Sequence, residues 1–494
     1  MLTQFANGDT RLSFWPRVRE FAVPASMIET ATARRLAGDW AGACAASGFD
    51  VDLHLRSVAR DHGREVAGRV RADLRHLAPD LLRWHMPRIA PDGLLRPGLT
   101  LALARYDGAG RDGRRPLYLV VRTPPAWADA GQRISLALWD GAESAAGCGG
   151  RVCRHPHPRP NRRFRLDLHR HLWDVRRAGE LRVRSGGGLG GFGGRGDLPA
   201  DDRAGMEPGL LEALPYGRRC AVDRWADEAR ILLRAEGRSS GAVLVRLGGR
   251  HRLVLEVPAD GVGDGEAAGD GRGGPPALRI AASAKGRASE LPVLPDAATW
   301  VLPDLELLRL GLIDADRLHP LVASALVPDH SPAPRPSVSP ERAGQPRLVE
   351  CRGARHRIGL VDGVLAPLDH DPAEIRREEL LAALTGTPLP CLQVIDEAHR
   401  RPDCLPDVRE RLDHGDIAGA LAVVEGLVGP DAVLRHGALR DELAAAAERR
   451  IVYGLFRAGL TEPGPGPRPG RELIPPDRRR PRDRRSRRRH ATFD

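Results

Sequence analysis

The stretch 406–427, PDVRERLDHGDIAGALAVVEGL, constrains the fold more than any other part of the chain. Its pattern predicts two short helices that break at Gly415-Asp416. Glycine takes the left-handed backbone that ends a helix at little cost. The aspartate after it can accept hydrogen bonds from the free N–H groups of the next helix's first turn. Ile417, Leu421, Val424 and Leu427 then keep helical spacing. A shorter copy, ATARRLAGDWAGACAA, turns at Gly38-Asp39. In both copies an apolar residue follows the cap, Trp40 or Ile417. Three residues on comes a small one, Ala43 or Ala420, where two helices can approach closely.

Between these ends the period changes. LTLALAR, PLYLVVR and QRISLALW alternate or run apolar over strand length, with Gly and Pro between them. They predict a small antiparallel sheet. RFRLDLHRHLWDVRRAGEL reads as a strand turning into a helix. AVLVRL, HRLVLEV and ALRIAAS are further strands, the last two separated by a glycine-rich hairpin loop at 260–276. LPDLELLRLGLIDADRLHPLVASAL gives two helical pieces broken near Gly311. LVECRG and HRIGLVDG predict a hairpin. DPAEIRREELLAALTG predicts a helix with Asp371 as its cap and Pro372 at its first position. Residues 1–26 read as an irregular arm anchored by Phe14, Trp15 and Phe21, and 27–86 as a helical pattern that Pro79 can break or restart.

The expected fold class is α+β, with helical N- and C-terminal modules flanking a β-rich middle in a multi-domain chain with long Gly/Pro-rich loops. The expected parts are an arm and helical module at 1–94 and a small β-rich region at 95–184. A Gly-rich linker at 185–215 leads to β-hairpins plus helices at 216–330. A Pro-rich linker at 331–346 leads to a hairpin plus helical module at 347–460, and a disordered Arg-rich tail closes the chain at 461–494. Gly and Pro together make 98 of 494 residues, which is what so many linkers require.

Two resemblances attach to these residues. Gly-Asp-Trp-x-x-Ala and Gly-Asp-Ile-x-x-Ala resemble the inter-helix turn of a tetratricopeptide unit. The likeness covers the turn alone; that family repeats about every 34 residues in tandem, and these copies lie far apart. An ordinary helical hairpin, used twice, is the competing reading. HRIGLVDGVLAPLDHDPAEIRREELLAAL, with RRLAGDWAGACAA, resembles uncharacterised proteins of high-GC actinobacteria over most of the chain outside the tail. That resemblance implies no activity, ligand or site.

The charge is uneven. Lys285 is the only lysine, so the basic residues are almost all arginine. Residues 466–494 hold 11 Arg against 4 acids, a net of +7 out of +11 for the whole chain. In DRRRPRDRRSRRRH, the arginines Arg478, Arg479, Arg480, Arg484, Arg485, Arg487, Arg488 and Arg489 are candidate phosphate contacts. Such contacts release counterions, so binding would be salt-sensitive and indifferent to sequence. No aromatic residue interleaves before Phe493, so base stacking is not implied. The competing reading is a solubilising tail. Seven dispersed cysteines, an odd number, point to reduced thiols and a cytoplasmic protein. The N-terminus lacks the apolar core of a signal peptide. No apolar run nears the ~18 residues of a membrane helix, so no membrane partner is expected.

Candidate chemistry is sparse. LQVIDEAHR, 392–400, resembles motif II of DEAH helicases, where Asp396 would hold Mg²⁺ and Glu397 would orient the attacking water. That chemistry also needs a phosphate-cradling G-x-x-x-x-G-K-[ST] loop. The chain has none, so the stretch reads as the surface of a helix and no ATPase is expected. CGGRVCRHPHP places Cys148, Cys153, His155 and His157 in C-x4-C-x-H-x-H order, the ligand types of a closed structural zinc site. Pro156 restricts how those rings converge, and a solvated loop is the alternative. Gly188, Gly190 and Gly193 stand in dinucleotide-loop register, but no suitable helix start follows. His76 and His85 read as structural residues on a helical stripe, and Asp369-His370-Asp371 as a loop and helix cap.

No catalytic or cofactor-binding residue is assigned, and a structural zinc is the one cofactor entertained. The sequence thus predicts a non-enzymatic intracellular protein-interaction or scaffold protein with an unidentified protein partner. The alternative is a nucleic-acid-associated protein that binds the phosphate backbone through its tail. An enzyme assembled from distant residues is the third reading.

Overall fold

Gly38 and Gly415 both take left-handed backbone, at φ +77° and +87°. Each ends one helix, and the aspartate after it caps the next. Asp39 Oδ1 accepts from Gly42 N at 2.8 Å, and Asp416 Oδ1 accepts from Gly419 N at 2.9 Å. Ala43 and Ala420 are fully buried where the paired helices approach. The computed structural model in which these turns lie describes residues 12–108, 115–141, 155–185, 219–247, 252–259, 279–281, 290–330, 347–351, 353–361, 364–386, 390–393, 395, 404–428, 434 and 437–460. The expected linkers at 185–215 and 331–346, the insert at 260–276 and the tail fall almost wholly outside the described residues.

The fold is mixed helix and sheet, with small sheets. Helices α1 (Ala25–Leu36) and α2 (Trp40–Ala46) form the first hairpin. A short strand, β1 (Phe49–Val51), follows, then α3 (Leu55–His62), α4 (Arg64–His76) and α5 (Pro79–His85). β1 interrupts the helical pattern expected over 27–86. It pairs in parallel with a strand some eighty residues on, Phe49 opposite Ile134. Three residues between helices carry too little pattern to announce a strand.

The minor pair β2 (Arg88–Ile89) and β3 (Leu94–Leu95) leads to the main sheet. β4 (Thr100–Tyr106), β5 (Leu117–Arg122) and β6 (Ile134–Trp139) are antiparallel neighbours, and the sheet order is β1-β6-β5-β4. β4 and β5 are buried almost along their whole length, which explains why they run apolar rather than alternate.

The stretch 163–181 does not become a strand turning into a helix. It is a series of turns and single-turn helices around Trp173, whose Nε1 donates to Leu166 O at 2.9 Å. Local side chains compete with regular structure there. Asn161 takes Arg163 N at 2.9 Å, and Asp174 takes Arg176 N at 3.1 Å.

One hydrophobic core runs from Phe14 to Leu326. It joins Leu74, Leu81 and Trp84 of the helices to Leu101, Leu119 and Leu136 of the sheet. It also takes in Trp173 and, from beyond residue 300, Leu305 and Val322. The N-terminal helices and the first sheet therefore share a core. A second core packs α6 (Trp225–Ala235) on β7 (Gly241–Arg246) and β8 (Arg252–Val257), which pairs in turn with β9 (Arg279–Ala281). The helical pieces expected around Gly311 are α7 (Pro303–Arg309) and α8 (Pro320–Leu326).

The last part begins with a three-stranded meander, β10 (Arg347–Cys351), β11 (Ala354–Val361) and β12 (Val364–Pro367), followed by α9 (Pro372–Thr385). The second hairpin is α10 (Leu405–His414) and α11 (Ile417–Val428), and α12 (Ala438–Ala458) packs against it. α12 also docks on the earlier core. Phe456 meets Trp127 edge-on with ring centroids 5.3 Å apart, Arg457 forks onto Asp52, and the Tyr453 hydroxyl donates to Asp50. Among the described residues no helix is long and apolar enough to cross a membrane.

Candidate metal centre

Two thiols and an imidazole converge in the meander and the elements that follow it. Cys351 ends β10, and Gly353 at φ +77° turns the chain back into β11, so that Cys351 pairs with Ala354. In the same register Val349 pairs with His356. Paired residues share a face, and so do residues two apart on one strand. Cys351, His356 and Ile358 therefore lie on one face. Cys351 and Ile358 on that face are buried, at 1% and 4% exposed, and His356 between them is half-buried.

β12 runs antiparallel to β11 and carries the chain back alongside His356. Leu368 N donates to Arg357 O at 2.8 Å, and Arg357 N donates to Asp369 Oδ2 at 2.7 Å. The Arg357 guanidinium also holds Asp369 Oδ1 at 2.8 Å. This pairing keeps the Asp369 carboxyl down at about 2, with the Arg357 side-chain bond the largest cause. Asp371 accepts from Ala373 N at 2.9 Å and caps α9. Between these two fixed aspartates stands His370. Its ring stacks on His356 with centroids 4.0 Å apart and planes 16° from parallel.

After α9 the chain returns with Cys391 in a short helical stretch. Cys391 Sγ lies 3.6 Å from His370 Nε2. Glu374 Oε2 lies 3.7 Å from the other ring nitrogen, Nδ1. One ligand atom each from Cys351, His370 and Cys391 lies within 4.8 Å of the other two. Both cysteines are free thiols and buried. Burial, together with the neighbouring Cys351 thiol, pushes Cys391 up to about 11.

This donor set suits a borderline-soft divalent ion. With Zn–S about 2.3 Å and Zn–N about 2.0 Å, sulfur and nitrogen in a tetrahedral site stand roughly 3.5 Å apart. The Cys391–His370 separation already has that value. A carboxylate on the far nitrogen is also what fixes the tautomer of a ligating histidine. Cys351, His370 and Cys391 can therefore hold a metal ion.

The zinc set expected from the sequence falls elsewhere. Cys148 and Cys153 lie outside the described residues. His155 uses both ring nitrogens on backbone: Nε2 meets Thr123 O at 2.9 Å, and Nδ1 accepts from His157 N at 3.2 Å. Burial holds His155 down at about 4. His157 offers its carbonyl to the Thr100 hydroxyl at 2.6 Å. This pair therefore fastens a loop to the main sheet.

Arg478, Arg479, Arg480, Arg484, Arg485, Arg487, Arg488 and Arg489 lie outside the described residues, as do Asp396, Glu397 and the glycines at 188–193. His76 Nδ1 meets Ala72 O on its own helix at 2.6 Å. His85 is half-buried, and the burial of its ring holds it well below the usual histidine range.

Sequence reasoning placed Asp369 and Asp371 near their observed roles but missed both cysteines. Cys351, His356, His370 and Cys391 read C-x4-H-x13-H-x20-C, a spacing no short motif covers. The available signal was Cys351 and His356 straddling the predicted hairpin turn, where register alone puts them on one face. The chain matches no protein-family model, no curated protein and no solved structure.

Proposed function

We propose that the chain is a non-enzymatic intracellular interaction or scaffold protein whose C-terminal meander and α9 are held in shape by zinc at Cys351, His370 and Cys391. The observation that carries the zinc reading is the 3.6 Å approach of Cys391 Sγ to His370 Nε2 beside the buried Cys351. The ion would cross-link the end of a hairpin, the β12–α9 connector and the segment after α9. Among the described residues the buried apolar cluster of that part is small: Cys351 and Cys391 with Val349 and Leu392 beside them. A metal supplies folding energy where a core this size supplies little.

The interaction reading draws support from how the buried charges are used. Asp304 bridges Arg19 and the Trp84 indole, at 2.8 and 3.1 Å. Glu228 takes Arg184 at 2.6 Å, and Asp80 meets His319 at 3.0 Å. Each ties one segment to another, as architecture requires. Separate modules joined by Gly/Pro-rich segments belong to this same proposal.

The test is elemental analysis of the full chain purified under reducing conditions. About one zinc per chain is expected, falling to background in Cys351→Ser and Cys391→Ser. Chelation should expose 347–395 to protease before the rest of the body. Zinc-free protein from zinc-supplied cells would overturn the reading.

A further inference from the structure

We infer that His356 is the fourth ligand of this centre, making it a closed Cys2His2 site with no position left for water or substrate. The inference rests on the zinc reading above and extends it to the kind of site it is. Three observations carry it. The strand register puts His356 on the same face as the buried Cys351. Its ring already lies flat on that of His370, 4.0 Å centroid to centroid. Its Nδ1 is buried without a hydrogen-bond partner, which is costly for a polar atom unless something else takes the lone pair.

Cys351, His370 and Cys391 already converge, and His356 would join them by a turn of its ring. The Cβ–Cγ torsion of histidine is broad and roughly two-fold, so a ring can turn at small cost. The strands and the Arg357–Asp369 pair hold the backbone on both sides of the rings meanwhile. Glu374 is the other group at hand, but it faces Nδ1 of His370, on the side away from Cys391. At 3.7 Å it stands just beyond hydrogen-bond reach, and by closing on Nδ1 it would act as a positioning residue for His370.

The charges balance. Two thiols release their protons to solvent and bind as thiolates, and two imidazoles bind neutral. The ligand set carries −2 and offsets the +2 of zinc, so the buried centre is neutral. Four protein ligands make a structural site, whereas an open fourth position would make a catalytic one.

The experiment uses the full chain and Co²⁺ as an optical probe, with X-ray absorption on the zinc form. Wild type should show tetrahedral ligand-field bands and two sulfur with two nitrogen neighbours. His356→Ala should replace one nitrogen by a water oxygen and weaken zinc by at least about tenfold, the scale seen even for partners one step removed from a metal. His356→Cys should restore a tetrahedral site with three sulfurs, which a merely structural histidine would not do. Glu374→Gln should weaken binding without changing the ligand count. If wild type binds metal but His356→Ala leaves affinity and spectrum unchanged, the fourth-ligand inference falls and the zinc reading stands. If wild type binds neither Co²⁺ nor zinc, both fall.

Discussion

Arg83 Nη2 donates to the carbonyl of His414 at 2.9 Å, across 331 residues of chain. The same guanidinium donates through Nε to Ala22 O at 2.9 Å and through Nη1 to Gln132 O at 2.6 Å. One buried side chain thus ties the N-terminal turn, the loop before β6 and the C-terminus of α10. A planar fork of donors can satisfy three carbonyls from one position, where lysine's point charge cannot. Burial brings Arg83 down to about 10, and Asp416 acts against that shift. Gly415 completes the junction: a Cβ there would stand 2.1 Å from Gly131 O.

Replacing Arg83 by Met should leave three buried carbonyls without a donor. At about 1–3 kcal/mol for each such group, the loss should be roughly 3 kcal/mol or more. Gly415→Ala should also destabilise, because both its positive φ and the neighbouring carbonyl exclude a side chain. Denaturant unfolding reads the loss, and limited proteolysis reads release of 404–428. An Arg83→Met protein that melts like wild type would refute the junction.

The two Gly-Asp turns should differ in worth. Asp416 caps Gly419 N and also holds Arg411 Nη1 at 2.9 Å, with its side chain only 6% exposed. Asp39 makes the same cap, but its side chain is 41% exposed and its arginine partner stands at 3.3 Å. Either change to Ala should cost about 1 kcal/mol for the cap alone. Asp416→Ala should cost more, because it also leaves Arg411 with less of its charge answered. Equal midpoint shifts in urea would show that burial adds nothing at this site.

These contrasts mark what the residues could announce. The caps, the strands Thr100–Tyr106 and Leu117–Arg122, and the hairpin at Gly353 rest on near neighbours, and pattern alone places them. β1 depends on a partner strand that closes around it from eighty residues away. Trp173 sits in turns because Asp174 and Asn161 found local backbone, a competition that spacing does not reveal. The metal candidate at 148–157 had its ligands close in sequence, yet His155 turned to Thr123. Cys351 and Cys391 stand forty positions apart and met only because β12 and α9 return the chain. Contacts set by return paths are the ones a single sequence hides.

Acid should weaken the fold through its buried histidines, His169 and His414 among them. Burial holds His169 down at about 4, near Glu228, Arg184, Arg224 and Arg165. It holds His414 down at about 3, with Arg88, Arg83 and Arg17 facing it and Glu410 at 3.8 Å. Both folded values lie below the ordinary 6.5, so above that pH neither ring affects stability. As pH falls below it, the unfolded chain takes up protons that the folded chain refuses. Stability is then lost by about 1.4 kcal/mol per pH unit for each ring. The loss runs down to the two folded values and stops there. Urea midpoints at pH 7 and pH 5 should show the drop, and His414→Gln should make it shallower by about one proton. An unchanged slope in that variant would assign the acid sensitivity to other groups.

The tail offers the last test, and it addresses the nucleic-acid alternative. Residues 466–494 carry +7, and the remaining 465 residues share only +4 by subtraction from +11. Any general affinity for polyanions should therefore reside in the tail. Within the body, several arginines face carboxylates: Arg19 meets Asp304, Arg163 meets Asp296, Arg165 meets Asp167 and Arg184 meets Glu228. Such pairs have little field left for a phosphate. The full chain should bind duplex DNA or RNA weakly and without sequence preference. Its affinity should fall steeply with salt, with a log–log slope set by the number of phosphates neutralised. Deleting 466–494 should remove most of that binding and leave the melting of the body unchanged, because an Arg- and Pro-rich segment with few apolar residues has little to bury. A truncated chain that binds as tightly as the intact one would move the site into the body. An intact chain that binds nothing at low salt would leave the arginines with a solubilising role.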